Sequence, residues 1–182
     1  MKSLLPSLFI VLILASCGSK AKTCTDTLWV KDFGICIAEG WEQVPDATLK
    51  EEGVPIETVA AFHRTEERGG QRDNIVVSVE SLPGTVSPLA YSEANIAVIE
   101  AIPDYALLEK NEVKIDGKVT ILHVFTARPV ADLPVRRFYQ LSLVKGTSGY
   151  TFTGTLPFST DDASEDAITD MLLSVTMEKK EE

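Results

Sequence analysis

The chain has 182 residues, 17 Lys and Arg against 27 Asp and Glu, and a formal charge of −10. Nucleic acid and polybasic docking on anionic lipid both need a cationic face, so an acidic balance argues against either. The length suits one domain with a real core, and 45% hydrophobic residues can supply it.

Met1-Lys2-Ser3 precedes a short apolar run that ends in Leu14-Ala15-Ser16-Cys17. One cation, a short apolar core and small residues form the plan of a secretory signal peptide. The run is about a dozen residues, whereas a spanning helix needs about 20. Polar Gly18-Ser19-Lys20-Ala21-Lys22 follows at once, so no stop-transfer stretch extends it.

Leu14-Ala15-Ser16-Cys17 is similar to a bacterial lipobox. The resemblance implies cleavage after Ser16 and a mature N-terminus at Cys17 carrying acyl chains such as palmitate. Stable anchoring needs about two such chains, so a triacylated cysteine holds a protein at a membrane. The bland alternative is an ordinary signal peptide cut beside a cysteine. Gly18 stands where an aspartate tends to cause inner-membrane retention, which favours the periplasmic face of an outer membrane in a host that has one.

With Cys17 taken by lipid, Cys24 and Cys36 remain. In an exported chain two remaining thiols are expected to form a disulfide. Closing a loop of about a dozen residues is worth about 3 kcal/mol in the chain-entropy view. Free thiols or a metal pair are the alternatives, although no Cys-x-x-Cys spacing occurs and no histidine lies nearby. The expected organisation is a leader over 1–16, a lipidated tether over 17–26, one domain over 27–177 and a frayed tail over 178–182.

Within the domain, short strands are expected at Leu28–Val30 and Gly34–Ala38, then a turn at Glu39-Gly40-Trp41. Residues 43–55 carry Pro45, Gly53 and Pro55 and read as loop with a helical turn at 46–51. Glu57–Thr65 and Asn74–Ser81 form a hairpin across a polar connection. Ser87-Pro88 opens a helix, with an N-cap oxygen and a proline where no N–H is needed. Leu89, Ile96, Ile99 and Ile102 mark its buried face, and Pro103 ends it. Ala106–Ile115 and Lys118–Ala127 join through Asp116-Gly117, a strong hairpin signal. Val135–Lys145 and Tyr150–Leu156 form another hairpin around residues 146–149. A closing helix spans 161–176, with acids in its first turns and Ile168, Met171, Leu172 and Val175 facing inward. Hairpins dominate, so the fold class is α+β rather than a wound parallel sheet.

Phe33-Gly34-Ile35-Cys36-Ile37-Ala38-Glu39-Gly40-Trp41 resembles the opening of the PsbP-like superfamily. The middle helix, the Asp116-Gly117 hairpin, and Gly149 to Pro157 before a final helix ending in Leu-Leu-Ser-Val also fit. Ala38-Glu39 replaces the more usual apolar-Pro before Gly-Trp. The likeness spans residues 27–177. That superfamily includes the photosystem II protein PsbP, DcrB-like bacterial lipoproteins and a Ran-binding nuclear import factor. The resemblance implies an α-β-α sandwich with a central antiparallel sheet. It implies no activity, because its members act mainly as accessory or binding proteins and fold does not fix function.

No catalytic constellation is present. His63 and His123 are the only histidines, and both lie in expected strands. Each reads first as a structural histidine; the sharper alternative is a two-histidine metal site needing a carboxylate. Ser148 sits in a turn without a Gly-x-Ser-x-Gly elbow. The Asp161–Asp166 cluster lacks calcium-loop spacing and reads as a solvated helix start. Arg136 and Arg137 point to opposite faces of a strand. Trp29, Phe33 and Trp41 cluster in the first segment; Trp41 is expected in the core and so is Trp29, the alternative for Trp29 being an exposed interaction face near the tether. No cofactor, metal site or catalytic residue is expected. The expected function is a non-enzymatic, membrane-anchored accessory or adaptor lipoprotein with an envelope protein partner. The alternative is a small-ligand or metal-binding module of the periplasm.

Overall fold

The computed structural model describes residues 27–51, 55, 57–67, 70 and 72–179. Cys17, Cys24, the leader, the tether and residues 180–182 lie outside these, as therefore do the expected lipidation and the Cys24–Cys36 pairing.

In chain order the elements are β1 (Thr27–Val30), β2 (Phe33–Cys36), β3 (Trp41–Gln43), α1 (Asp46–Glu51), β4 (Thr58–Arg64), β5 (Asn74–Ser81), α2 (Pro88–Ile99), β6 (Ala106–Ile115), β7 (Lys118–Ala127), β8 (Arg136–Lys145), β9 (Ser148–Pro157) and α3 (Asp162–Leu173). β1 and β2 make a small ribbon. The others form a seven-stranded antiparallel sheet in the order β3-β4-β5-β9-β8-β7-β6.

Two turns set the register. Asp116 (φ 49°) and Gly117 (φ 73°) are both left-handed, as a two-residue turn between right-twisting strands requires. Gly146 (φ 61°) opens the other tight turn, between Lys145 and Ser148. The chain then returns as β9, which inserts between β5 and β8 rather than staying at an edge. That insertion places β9 in the middle of the sheet, with neighbours on both sides.

Side-chain alternation along β9 sends Gly149 towards α2 and Gly154 towards α3, so the helices cover opposite faces. The α3 face is apolar. Phe33 and Phe152 meet edge to face at 5.0 Å, and Phe62, Leu141, Leu156, Ile168, Met171 and Leu172 are buried with them. The β1–β2 ribbon lies on this face beside α3. Gly34 and Thr176 exchange backbone hydrogen bonds of 2.8 and 2.9 Å, which tie the ribbon to the segment after α3.

The α2 face is polar where α2 meets the sheet. Tyr91 and Ser92 are buried there, and Asn95 is half-buried. The Tyr91 hydroxyl donates to Glu80 at 2.7 Å, Ser92 bonds Thr120 at 2.8 Å, and Asn95 donates to Ser142 and Thr151 at 3.0 and 3.1 Å. The expected face of Leu89, Ile96, Ile99 and Ile102 is therefore displaced: of these only Ile96 is buried, and Ile102 lies beyond the helix end. Val98 is 74% exposed, so apolar character alone misplaces the inward side of this helix.

Three smaller differences follow from tertiary contacts. Trp41–Gln43 is a strand rather than a turn, because β4 offers it an edge to pair with. β9 begins at Ser148, two residues early, because the turn is tight. α3 stops at Leu173, since Ser174 bonds back to Met171 at 2.6 Å and accepts the Cys36 N–H at 3.0 Å. Val175 is buried as expected, but it lies past the helix.

α3 approaches the sheet backbone closely at Gly154. A Cβ there would lie 2.7 Å from Ile168 Cγ2. Alanine favours strand backbone by about 0.5–1 kcal/mol over glycine, while overpacking costs about 1–3 kcal/mol, so the clash should win. Gly154→Ala is expected to lower stability by about 1–2 kcal/mol in urea unfolding. In combination with Ile168→Ala the two losses should sum to more than the double variant shows.

Candidate functional site

The two histidines lie on the α2 side of the sheet but do not meet. His63 is on β4 and His123 on β7, with β5, β9 and β8 between them. At about 4.8 Å per strand the gap is about 19 Å. The two-histidine metal site is therefore not assembled. No group of three or more His, Cys, Asp or Glu side chains gathers in metal-binding geometry among the described residues.

His63 is half-buried, with Nε2 3.0 Å from Glu42 Oε1 and Nδ1 3.4 Å from an Arg72 nitrogen. This is a cross-strand polar cluster at the β3 edge. His123 differs. It is 1% exposed, and its Nε2 lies 3.1 Å from the Tyr105 hydroxyl. Its ring stacks on Phe125 at 4.6 Å, and Phe125 stacks on Phe138 at 5.1 Å. Its Nδ1 is buried with no hydrogen-bond partner among the described residues. Burial, helped by the nearby Lys110 charge, pushes the imidazole down to about 4. At neutral pH it is an uncharged, aromatic member of a stack. Nε2 is bonded, but the ring is not the satisfied imidazole that the structural reading expected, since Nδ1 has no partner among the described residues.

Other perturbed groups close the fold. Tyr150 and Lys145 both donate to the Asp32 carboxylate, at 3.1 and 3.3 Å, and hold it below its usual range. Burial, aided by Asp32, pushes Tyr150 up to about 12. On the α3 face Arg137 pairs with Glu165, which also accepts from Tyr139 at 2.8 Å. Arg136 lies on the opposite face, so the two arginines divide as expected. Asp161 caps α3 by accepting the Ser164 N–H at 2.8 Å, which gives the acidic cluster a helix-start role. Ser148 opens β9 opposite Lys145, away from both histidines. Trp41 is buried, and Trp29 is half-buried over Gly34.

Two hollows among the described residues bear on ligand binding. One, beside Pro88, Ile115, Asp116 and Met177, has about 10 Å³ of free space, little more than one water. The other is an open groove of about 210 Å³ lined by Lys31, Asp46, Leu49, Lys50, Pro55, Thr58 and Val59. Small-molecule sites run about 300–1,000 Å³. The groove is thus small and open, with two cations flanking one acid. The groups found here pair, cap and stack; none forms a nucleophile–base pair.

Sequence reasoning missed the Asp32–Tyr150–Lys145 contact and the Tyr105–His123 contact, because both depend on which strands become neighbours. The Tyr91, Ser92, Asn95 spacing at i, i+1, i+4 was a usable signal for a polar inward helix face.

No family model matches the chain, and no curated protein matches it by sequence. Solved structures do. Cyanobacterial PsbP (CyanoP) from Synechocystis sp. PCC 6803 superposes with a TM-score of 0.54 at 15% identity, covering 89% of this chain and 97% of its own. A protein from Bacteroides thetaiotaomicron VPI-5482 matches with a TM-score of 0.47 at 10% identity, over 82% of this chain and 46% of its own. A mutant of the protein Mog1 gives 0.49 at 11% identity, over 80% of this chain and 90% of its own. At such identities the likeness to CyanoP concerns the fold, which is PsbP-like.

His123 carries a pH signature. Its folded value, about 4, lies below the ordinary 6.5, so between these the unfolded chain binds the extra proton. Its contribution is fully present above pH 6.5 and is lost as pH falls to 4. The shift corresponds to about 3 kcal/mol at most. His123→Phe should flatten the stability–pH curve between pH 6.5 and 4 in denaturant titrations at several pH values; an unchanged slope would refute the assignment.

Proposed function

We propose that this protein is a lipid-anchored accessory protein of a bacterial cell envelope. It presents a PsbP-like domain to an envelope partner and performs no chemistry of its own. The observation that carries the reading is Leu14-Ala15-Ser16-Cys17 after an apolar run too short to span. Among the described residues no helix is long and apolar enough to cross a membrane, which leaves anchoring to the N-terminus in this reading. Gly18 favours the periplasmic face of an outer membrane. In the same reading Cys24 and Cys36 form a disulfide below the anchor.

The body is compatible with this role. Buried polar groups such as Ser92 and Thr120 bond one another, and the net charge is acidic. The runner-up reading, a small-ligand or metal-binding module, rests on the groove beside α1. Its volume of about 210 Å³ falls below the usual range for ligand sites, so the adaptor reading is preferred.

Cys17→Ser is the direct test. The variant should fold, incorporate no labelled palmitate and fractionate as soluble protein. Retention of both label and membrane association would sink the proposal.

A further inference from the structure

The main sheet ends in two unlike edges. β3 is three residues long, whereas β6 has ten. Short edge strands are a usual protection against unwanted pairing, and a long open strand is a template for it. Residues 106–112 of β6 are exposed, with Leu107 at 51% and Leu108 at 46%. Among the described residues no helix packs extensively on this strand, and β7 is its pairing partner on one side.

The hairpin geometry says which groups are free. The Asp116-Gly117 turn closes on the Ile115–Lys118 pair, so residues 115, 113 and 111 point their N–H and C=O at β7. Lys110, Glu112 and Lys114 hold theirs outward. A bulge between Leu107 and Glu109 ends the regular stretch. The available template is therefore centred on Glu109-Lys110-Asn111-Glu112-Val113.

Charges at an edge ordinarily guard it, but these alternate in sign and complement themselves. Two copies pairing antiparallel about a two-fold axis normal to the sheet keep each residue on its own face. The axis must then pass through a residue. Through Lys110 it sets lysine on lysine. Through Glu112 it sets glutamate on glutamate and Lys110 on Lys114. Through Asn111 it sets Lys110 of each copy opposite Glu112 of the other, twice, on the outward-bonding positions. Opposite charges directly across a ladder stabilise it and like charges oppose it. This register also brings the exposed Leu107 and Leu108 towards the Lys114 end of the second copy.

We propose that β6 is a self-recognition edge, at which a second copy of this chain joins antiparallel about Asn111 and extends the sheet across both molecules. The contact is isologous, so it closes at two copies.

The test uses the full chain, with light scattering over a concentration series and non-reducing gels. The parent should dimerise with rising concentration. Lys110→Glu alone, or Glu112→Lys alone, should weaken dimerisation by about tenfold or more, since each creates two like-charge pairs. Lys110→Glu with Glu112→Lys should restore it. Asn111→Cys should oxidise to a covalent dimer beyond the parent's level, because a non-hydrogen-bonded pair brings Cα atoms to about 4.5 Å, within disulfide reach. Glu109→Cys, equally exposed on the same face but paired with Val113, should not. A monomeric parent at every concentration, failure of the double reversal to rescue, or equal cross-linking at 109 and 111 would each overturn the proposal.

Discussion

β9 meets a helix on each face, and at each contact it carries a glycine. A Cβ on Gly149 would lie 2.5 Å from the Tyr91 ring, and one on Gly154 would lie 2.7 Å from Ile168. α3 therefore rests almost on the backbone of β9, while α2 lies over β7 and β8 and reaches β9 through the Tyr91 ring. This requires β9 to be central, which in turn requires β5 to accept it opposite β8. The pairing from Asn74–Thr155 to Ser81–Ser148 joins the β3–β5 part of the sheet to the β6–β8 part. Without β9 the two halves would share no ladder.

The two faces solve the packing problem in different ways. Under α3 and the β1–β2 ribbon, Phe33, Phe62, Phe152 and Leu141 are each 0% exposed, and apolar burial is the main source of stability. Under α2 the contact is made by hydroxyls and an amide that bond to one another and to the Ser142 carbonyl. Such a network adds little net energy per bond but punishes misalignment, since a buried polar group without its partner is costly. The apolar face holds the domain together, and the polar face fixes where α2 sits. His123 lies on the polar side yet joins an aromatic stack, so its neutral ring behaves as another packing group.

The same division explains what was legible in the sequence. Hairpins were readable because Asp116-Gly117 and the 146–149 segment carry their turn chemistry locally. α3 was readable because its partner face is apolar and its N-cap, Asp161, is a local signal. α2 was found but rotated wrongly, since Tyr91, Ser92 and Asn95 look like an outer face until Thr120, Ser142 and Thr151 are known to lie beneath them. β3 was missed because three residues have no periodicity, and only the β4 edge makes Trp41–Gln43 a strand. The proposed N-terminal address rests on a linear motif, so proposing it needs no fold. A partner surface is not, because it depends on which exposed residues the topology brings side by side.

The ion pairs show how the ends of the sheet are finished. Arg64–Asp73 is largely buried, at 16% and 2% exposure, while Arg128–Asp104 is 40% and 53% exposed. Exposed pairs contribute at most about 1 kcal/mol, so the second chiefly positions a loop, whereas removing one member of the first leaves a largely buried charge to remaining neighbours such as Ser164 for Arg64 and Arg136 for Asp73. At the other end the β1–β2 ribbon is held twice. Lys145 and Tyr150 grip Asp32 at its turn, and Thr176 and Ser174 bond Gly34 and Cys36 along β2. Phe33 is sealed beneath it against Phe152. In the anchoring reading any pull from a membrane would reach the fold at this ribbon, which is held at Asp32, Gly34 and Cys36.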